Sequence, residues 1–498
     1  MRLTNAGIKK VTVGVTRYKQ LGDQSMNELV KLSAKEAVTL LKKQEVSPLE
    51  LIDAAEEQIQ ETNTAINAIP TLCIDRARKN AQRIMKEAPS DLPPHYLYGL
   101  PIAVKDLVEV EGVRTTFGSP IYADHVSDHS DYLVERLERN GAVVIGKSNT
   151  PEFGAGSHTF NEVFGHTHNP WNTGLTAGGS SGGAAAAVAA GQVWLATGSD
   201  LGGSLRNPAS FCSVVGLRPS PGRVAHGPSA LSFNDLSVDG PMGRNIGDVA
   251  LMLDAQTGRD ARDPISLPSP ETRFTHAASS PTKPTKIAFS PNLGFLPVDP
   301  EVAKLCEAAA KSFQDMGIAV EEACIDFTGA DEIFHVLRGQ LFAAGRQHFL
   351  DKRELLKPEV IWNIEAGLQM SGEQIASATH ARGQLFQRAI SFFDEYDLLL
   401  CPAAAVPPFD GTMRYPTEID GTKLERYIDW LMICGMITLT GCAAASIPCG
   451  FTKTNKPVGL QVVARPRGEA EVISACSIFE QAHPYADMVP IKPKLPTS

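Results

Sequence analysis

Two glycine clusters, each carrying serine, flank an alanine-rich segment of helical length: residues 178–206 read GGSSGGAAAAVAAGQVWLATGSDLGGSLR. No other stretch constrains the fold as strongly. Glycine admits backbone conformations closed to other residues and lets a chain pass close to a ligand. Gly202, Gly203 and their neighbours therefore suit a loop that aims several N–H groups at one developing negative charge. Serines among glycines are ordinarily turn or linker. Here, however, residues 184–190 are strong helix formers rather than linker filler, and Asp200, Arg206 and Pro208 set charged and rigid residues tight against the second cluster.

The chain has 498 residues, 43% of them hydrophobic and 20% charged, which is enough to bury a substantial core and is ordinary for a globular enzyme. That length admits two or three domains or one large α/β domain. A net charge of −10 without a long basic run argues against nucleic acid or an anionic membrane as partner and favours a small-molecule substrate. Nine cysteines with no CxxC pair read as buried thiols of a reducing, cytoplasmic compartment, not as a disulfide framework or a zinc site. Cys212, near the second glycine cluster, is expected in the core. No run of about eighteen apolar residues suggests a membrane span, and the N-terminus lacks the apolar core of a signal peptide. No cofactor and no metal site are expected. Residues 1–25 are read as an N-terminal extension and 26–498 as the functional body, with residues 263–284, rich in Pro, Ser and Thr, as an exposed excursion.

Ser33-Ala-Lys-Glu36 and Ser47-Pro-Leu-Glu50 are capping boxes, the second with proline at the first helical position, so two helices are expected early in the fold. Pro101-Ile-Ala-Val-Lys105 and Ala142-Val-Val-Ile145 read as short buried strands, with helical periodicity over residues 132–139 between them. Strand, helix and strand in that order imply a βαβ unit; Leu398-Leu-Leu-Cys401 suggests a further buried strand. Fold class is therefore α/β. Residues 300–430 alternate helical stretches and are expected to shape a pocket.

Two short motifs compete for the chemistry. Gly141-Ala-Val-Val-Ile-Gly-Lys147-Ser148 matches GxxxxGK[ST] letter for letter. The intervening residues are strand material whose N–H groups a sheet would consume, so a phosphate-binding loop is rejected. Gly178-Gly-Ser180-Ser-Gly182 fits GxSxG, the nucleophile elbow of α/β-hydrolases. Yet Pro170, Trp171, Asn172 and Gly174 just upstream look like loop rather than the strand that motif needs, and none of His226, His335, His348 and His380 sits in a telling local pattern. Lys105, at the end of an apolar strand, is expected to be partly desolvated, which disfavours its ammonium and suits it to accept a proton. Asp106 would oppose that if its carboxylate faced the same amine. A surface lysine at a strand end is the other reading of the residue.

Taken together, several segments resemble the amidase signature family. They are Gly99-Leu-Pro-Ile-Ala-Val-Lys105-Asp106, Gly146-Lys-Ser-Asn-Thr-Pro-Glu-Phe153, Gly178-Gly-Ser-Ser-Gly-Gly183 and Gly198-Ser-Asp-Leu-Gly-Gly-Ser204-Leu-Arg206. Phe211-Cys-Ser-Val-Val-Gly-Leu-Arg218-Pro, Gly240-Pro-Met and Pro457-Val-Gly-Leu-Gln-Val-Val463 extend the likeness over nearly the whole chain beyond Met26. The resemblance implies a single large α/β/α domain with a central mixed twisted sheet covered by helices, and a catalytic core over about residues 95–250. It implies Ser204 as nucleophile, Ser180 as bridging serine in a cis peptide linkage, and Lys105 as base. The oxyanion would be held by backbone N–H groups of Leu201, Gly202, Gly203 and Ser204, with Ser181, Asp200 and Arg206 in support and Gly154, Ala155 and Gly156 against the substrate. Arg206 would either hold the loop or meet a substrate carboxylate or carbonyl.

The activity so implied is hydrolysis of a small or medium carboxylic amide through an acyl-enzyme, with a homodimer as the family habit. Two alternatives stand beside it. The family includes the glutamine-handling component of a tRNA-dependent amidotransferase, but this chain has Ala225-His-Gly-Pro-Ser-Ala after Gly222-Arg-Val and Asp235-Leu-Ser-Val-Asp239 further on, both departures from the pattern of that component. A GxSxG esterase with a histidine base is the other. Phe334, Leu337, Trp430, Ile433 and Met436 either line an acyl cavity or fill the core, and core is expected for most of them.

Overall fold

A computed structural model describes residues 27–87 and 91–496 of the protein. The extension expected over residues 1–25 lies outside the described residues. Both capping boxes form: Ser33 Oγ and Ser47 Oγ each accept the N–H three residues on, at 3.2 Å, while Glu36 and Glu50 reach back to the cap N–H at 2.8 Å. They open helices α1 (Ala34–Lys42) and α2 (Pro48–Ile66).

Eleven strands make one sheet: β1 (Thr71–Leu72), β2 (Pro101–Lys105), β3 (Val143–Ser148), β4 (Leu195–Asp200), β5 (Val215–Arg218), β6 (Val238–Gly243), β7 (Lys286–Phe289), β8 (Ala319–Glu322), β9 (Leu398–Pro402), β10 (Ala443–Phe451) and β11 (Pro457–Ala464). Their spatial order is β1-β3-β2-β4-β6-β5-β10-β11-β9-β7-β8. The expected βαβ unit is present, with β2 and β3 parallel and helix α3 (Tyr132–Arg139) between them in sequence. β2 also runs parallel to β4, whereas β4, β6, β5, β10, β11 and β9 pair antiparallel in turn, so the sheet is mixed. Every residue of β2 and β3 is buried, as continuous apolar runs covered on both faces should be. Each large aliphatic there, such as Ile102 or Val104, contributes about 1.5–3 kcal/mol by leaving water.

Helix α4 (Gly182–Ala189) is buried on all sides. Its small residues allow this: a Cβ added at Gly183 would lie 2.3 Å from Asn149 N. Helix α5 (Arg206–Cys212) follows β4, and Cys212 is fully buried. Of the later helices α6 (Ala330–Arg346), α7 (Pro358–Gln369) and α8 (Met432–Leu439), α6 packs against both of the others and lines the cleft described below. A small apolar cluster of Phe153, Ala155, Phe342, Leu356, Val360 and Ile364 lies apart from the main core.

Half of residues 263–284 are exposed, but the segment carries a short helix, Phe274–Ser279, that buries Phe274, Ala277 and Ala278. One expectation is corrected. The approach to Gly178 is not all loop, because Asn172–Thr176 is a strand; it pairs with His168–Asn169 in a separate two-stranded sheet. Among the described residues no helix is long and apolar enough to cross a membrane, and none of the cysteines forms a disulfide.

Candidate active site

The fold gathers three segments at one point. β2 ends on Lys105, whose N–H is fixed to Thr197 Oγ1 of neighbouring β4 at 3.0 Å. Ser180 and Ser181 lead into α4, and Gly179–Ser180 is a cis peptide. β4 delivers Ser199 and Asp200, after which residues 201–205 turn into α5.

The Lys105 amine is fully buried and surrounded by hydroxyls: Nζ lies 2.6 Å from Ser180 Oγ, 2.8 Å from Ser181 Oγ and 2.9 Å from Ser199 Oγ. Burial lowers its pKa to about 7, against the opposing charges of Asp239 and Asp200. Asp106 does not oppose it. Alternation along the strand sends that carboxylate to the other side, where it meets Lys147 Nζ at 3.1 Å and Thr116 Oγ1 at 2.5 Å. Lys147 is itself a fully buried residue of β3. The lysine of GxxxxGKS is therefore half of an internal ion pair, on a strand whose N–H groups are committed to the sheet.

The turn after β4 is organised by Asp200. Its Oδ1 accepts Gly203 N–H at 2.9 Å and its Oδ2 accepts Leu205 N–H at 3.2 Å. Arg206 grips the same carboxylate through Nε at 2.9 Å and Nη2 at 2.7 Å. Burial alone would raise the Asp200 pKa, but Arg206 and then Arg218 hold it well below the usual carboxylate range. Arg206 also donates to Cys434 O at 3.1 Å, Gln461 Oε1 at 2.6 Å and Thr438 Oγ1 at 3.1 Å. Fully buried and bonded throughout, it ties the turn to α8 and β11 and lies outside the cleft lining. Gly203 requires glycine, since its φ is +103° and a Cβ would stand 2.5 Å from that of Cys434. Its N–H is spent on Asp200. Among the described residues, the N–H groups of Leu201, Gly202 and Ser204 have no such partner.

Ser180, Ser204, Leu201 and Gly202 open onto a cleft of about 300 Å³. Gly154 and Gly156 line it. Ala155 does not, being fully buried in the small apolar cluster. Phe334 lines the cleft as well, whereas Leu337, Trp430, Ile433 and Met436 are buried away from it. Of the four histidines considered, only His226 reaches the cleft, and its Nδ1 pairs with Asp239 at 2.8 Å.

Two contributors escape the sequence reading. Ser199 is the third hydroxyl on the lysine; its one visible signal is its place in Gly198-Ser-Asp200, on the strand that feeds the turn. Asn207 clamps the two glycine clusters together. Its Oδ1 accepts Gly179 N–H at 3.0 Å, while its Nδ2 donates to Gly179 O at 2.6 Å and Gly203 O at 3.0 Å.

Comparison with known proteins shows the family. A family model described as Amidase matches residues 50–473. The chain is 36% identical over 465 residues to an acylamidase of Rhodococcus erythropolis, covering 92% of this chain and 97% of that one. It is 32% identical over 480 residues to a component of the glutamyl-tRNA(Gln) amidotransferase of Geotalea daltonii, covering 91% and 98%. In three dimensions it is similar to a bacterial aryl acylamidase of the amidase signature enzymes, with a TM-score of 0.85 at 30% identity over 93% of this chain and 99% of that one. A match that takes in the lysine strand, both serine clusters and the strands between them leaves one assignment: this chain belongs to the amidase family.

Proposed function

We propose that Ser204 is the nucleophile of this amide hydrolase and that Ser180 and Lys105 relay its proton. The single observation that carries the reading is the 2.6 Å contact between the buried Lys105 amine and Ser180 Oγ, on the same cleft as Ser204. A neutral Lys105 takes the Ser180 proton, Ser180 takes that of Ser204, and Ser204 Oγ attacks the amide carbonyl carbon. The carbonyl oxygen becomes an oxyanion, held by the N–H groups of Leu201, Gly202 and Ser204, with Gly203 shaping the turn rather than donating. The proton returns through Ser180 to the amide nitrogen as the C–N bond breaks, since an amine leaves readily only when protonated. Water then attacks the acyl-enzyme along the same relay. Ser181 and Ser199 hold the amine in line, and Asp200 with Arg206 holds the turn.

The chain cleaves carbon–nitrogen bonds of carboxylic amides. Higher identity to an acylamidase than to the amidotransferase components, together with the departures at residues 225–230 and 235–239, supports a small or medium amide as substrate and no role for transfer RNA. Gly154 and Gly156 bound the space next to Ser180. Residues 26–498 act as one catalytic body, cytoplasmic and able to form a homodimer.

A second reading has one observation in its favour: His226 and Asp239 form a pair on the same cleft, as a GxSxG esterase would need. Its weakness is that the Ser180 hydroxyl is already engaged by Lys105. Turnover of a panel of amides and esters, with a fluorophosphonate probe mapped by mass spectrometry, decides. Label on Ser204 that disappears with Lys105→Ala supports the lysine relay; label on Ser180 that disappears with His226→Ala rejects it.

A further inference from the structure

Residues 334, 338, 342 and 346 of α6 recur every four positions and so share one helix face. Phe334, Arg338, Phe342 and Arg346 all line the cleft that holds Ser180 and Ser204. Phe334 marks the near end, its ring 3.4 Å from where a Cβ on Gly202 would stand. Arg338 then lies about 6 Å further along the axis, and Arg346 about 18 Å. The long Arg346 side chain comes back toward the serines, because its guanidinium carbon is 5.6 Å from the centroid of Phe153. The next residue, Gly154, has a Cβ position only 3.5 Å from Ser180 Oγ.

Among the described residues these two guanidiniums have no counter-ion within salt-bridge distance. Both stack on Phe342, at 4.7 and 4.8 Å from its centroid. Arg338 is 7% exposed and donates Nη2 to the Tyr427 hydroxyl at 2.8 Å, but its Nη1 has no hydrogen-bond partner. Among the described residues, the Arg346 guanidinium makes no ion pair and no hydrogen bond, only aromatic contacts. Asp331 on α6 and Glu359 and Glu365 on α7 are engaged elsewhere, with Arg426, Arg414 and Arg353 in turn, and Glu332 is exposed at the start of α6. Burial first, and the like charge of Arg338 second, push the Arg346 pKa down to about 10. Two adjacent cations, Arg338 buried and Arg346 half-buried, with no paired anion among the described residues carry a desolvation cost, and an incoming anion relieves that cost. A guanidinium fork matches a carboxylate in two parallel hydrogen bonds.

We infer that this face of α6 binds a carboxylate, so that the preferred substrates are amides carrying a carboxylate group, held by Arg346 and Arg338 while the scissile carbonyl lies at Ser204. The inference rests on the amide-hydrolase reading and narrows its substrate class. Acids that also line the cleft, Glu109, Asp131 and Asp239, come from other elements, and Glu109 already meets His125 and His129 while Asp239 meets His226.

Matched anilides test it: glutaric acid monoanilide against valeranilide places the carboxylate on the acyl side, and 4-acetamidobenzoate against acetanilide places it on the leaving group. Binding is measured by calorimetry on the Ser204→Ala protein and turnover by amine release on the intact one. The expected result is that one acid exceeds its neutral partner at least tenfold in both affinity and kcat/KM. Arg346→Gln collapses that ratio toward one, and Arg346→Lys keeps part of it. Neutral partners bound and cleaved as well as the acids overturn the inference and leave the amide-hydrolase reading standing. Acid-selective binding without any amine release overturns the hydrolase reading and retains the anion site.

Discussion

Ser199 of β4 and Asp239 of β6 face each other in register across an antiparallel strand pair. That pairing sets a carboxylate beside the hydroxyl that Lys105 contacts at 2.9 Å, and the Asp239 charge works against the burial that lowers the lysine's pKa. Asp239→Asn therefore removes a group that favours the ammonium form. The acid limb of the kcat/KM profile is expected to move to lower pH, and the plateau rate to fall, because a weaker base takes the proton less readily. A limb that stays in place, measured from pH 4 to 10, would show that Asp239 does not act on the lysine.

In the proposed relay Lys105 takes a proton and so has to be uncharged; burial lowers its pKa to about 7, so activity should be low at pH 5 and climb through about pH 7 to a plateau. Lys105→Met should reduce kcat by about a hundred- to ten-thousand-fold and abolish the climb, with an unchanged circular dichroism spectrum. The same group leaves a mark on stability. Between about 7 and the ordinary 10.5 the unfolded chain binds the proton that the folded protein rejects, so this lysine's contribution to stability improves as pH rises through that window and is at its worst below about 7. Thermal unfolding of the Lys105→Met protein should accordingly lose that part of its pH dependence. A parallel pair of curves argues against a neutral buried amine.

Asn207 joins the two glycine clusters through one acceptor and two donor contacts. Asn207→Asp keeps the acceptor toward Gly179 N–H but turns a carboxylate oxygen toward two carbonyls in a buried place. Each unmade buried hydrogen bond costs about 1–3 kcal/mol. The variant should melt several degrees lower and lose at least tenfold in kcat, with KM changing less, because Ser180 and Ser204 lose their common tether. Wild-type kcat in a folded Asn207→Asp protein would show that the tether is dispensable.

What is legible in the chain and what is not divides along sequence distance. Capping at Ser33 and Ser47, the buried strands at Pro101 and Val143 and the helix after Gly182 all rest on neighbours a few residues away, where spacing speaks directly, whereas Lys105, Ser180 and Ser204 stand far apart in the chain and are grouped only by resemblance to the amidase signature family. Ser199 opposite Asp239 depends on strand register. Arg206 meets partners more than two hundred residues later, at Cys434, Thr438 and Gln461, and no local pattern announces them. Ala155 reads as part of a glycine-flanked substrate loop, yet its methyl is buried in one cluster with Phe342 and Ile364, which come from helices about two hundred residues on. That Asp200 takes the N–H of Gly203 becomes visible only in the folded turn. Pairing of Asn172–Thr176 away from the main sheet is likewise a matter of topology rather than composition.

Lys147 is where letter-level pattern and physics part most sharply. The sequence around it matches a nucleotide-binding loop, but its amine is fully buried, 3.1 Å from Asp106 Oδ1 and 2.8 Å from Thr115 Oγ1. Removing one partner of such a pair leaves the other charge buried and uncompensated, at a cost of about 3–5 kcal/mol. Lys147→Met should therefore lower the melting temperature markedly, whereas Lys147→Met combined with Asp106→Asn should recover much of the loss, because the stranded charge is then gone. A nucleotide site makes the opposite forecast: saturable ATP binding in the wild type, lost in the single variant, with the second substitution offering no relief. Calorimetric titration with ATP and thermal melts of the three proteins separate the two, and ATP binding that vanishes with Lys147→Met would return the motif to its literal meaning.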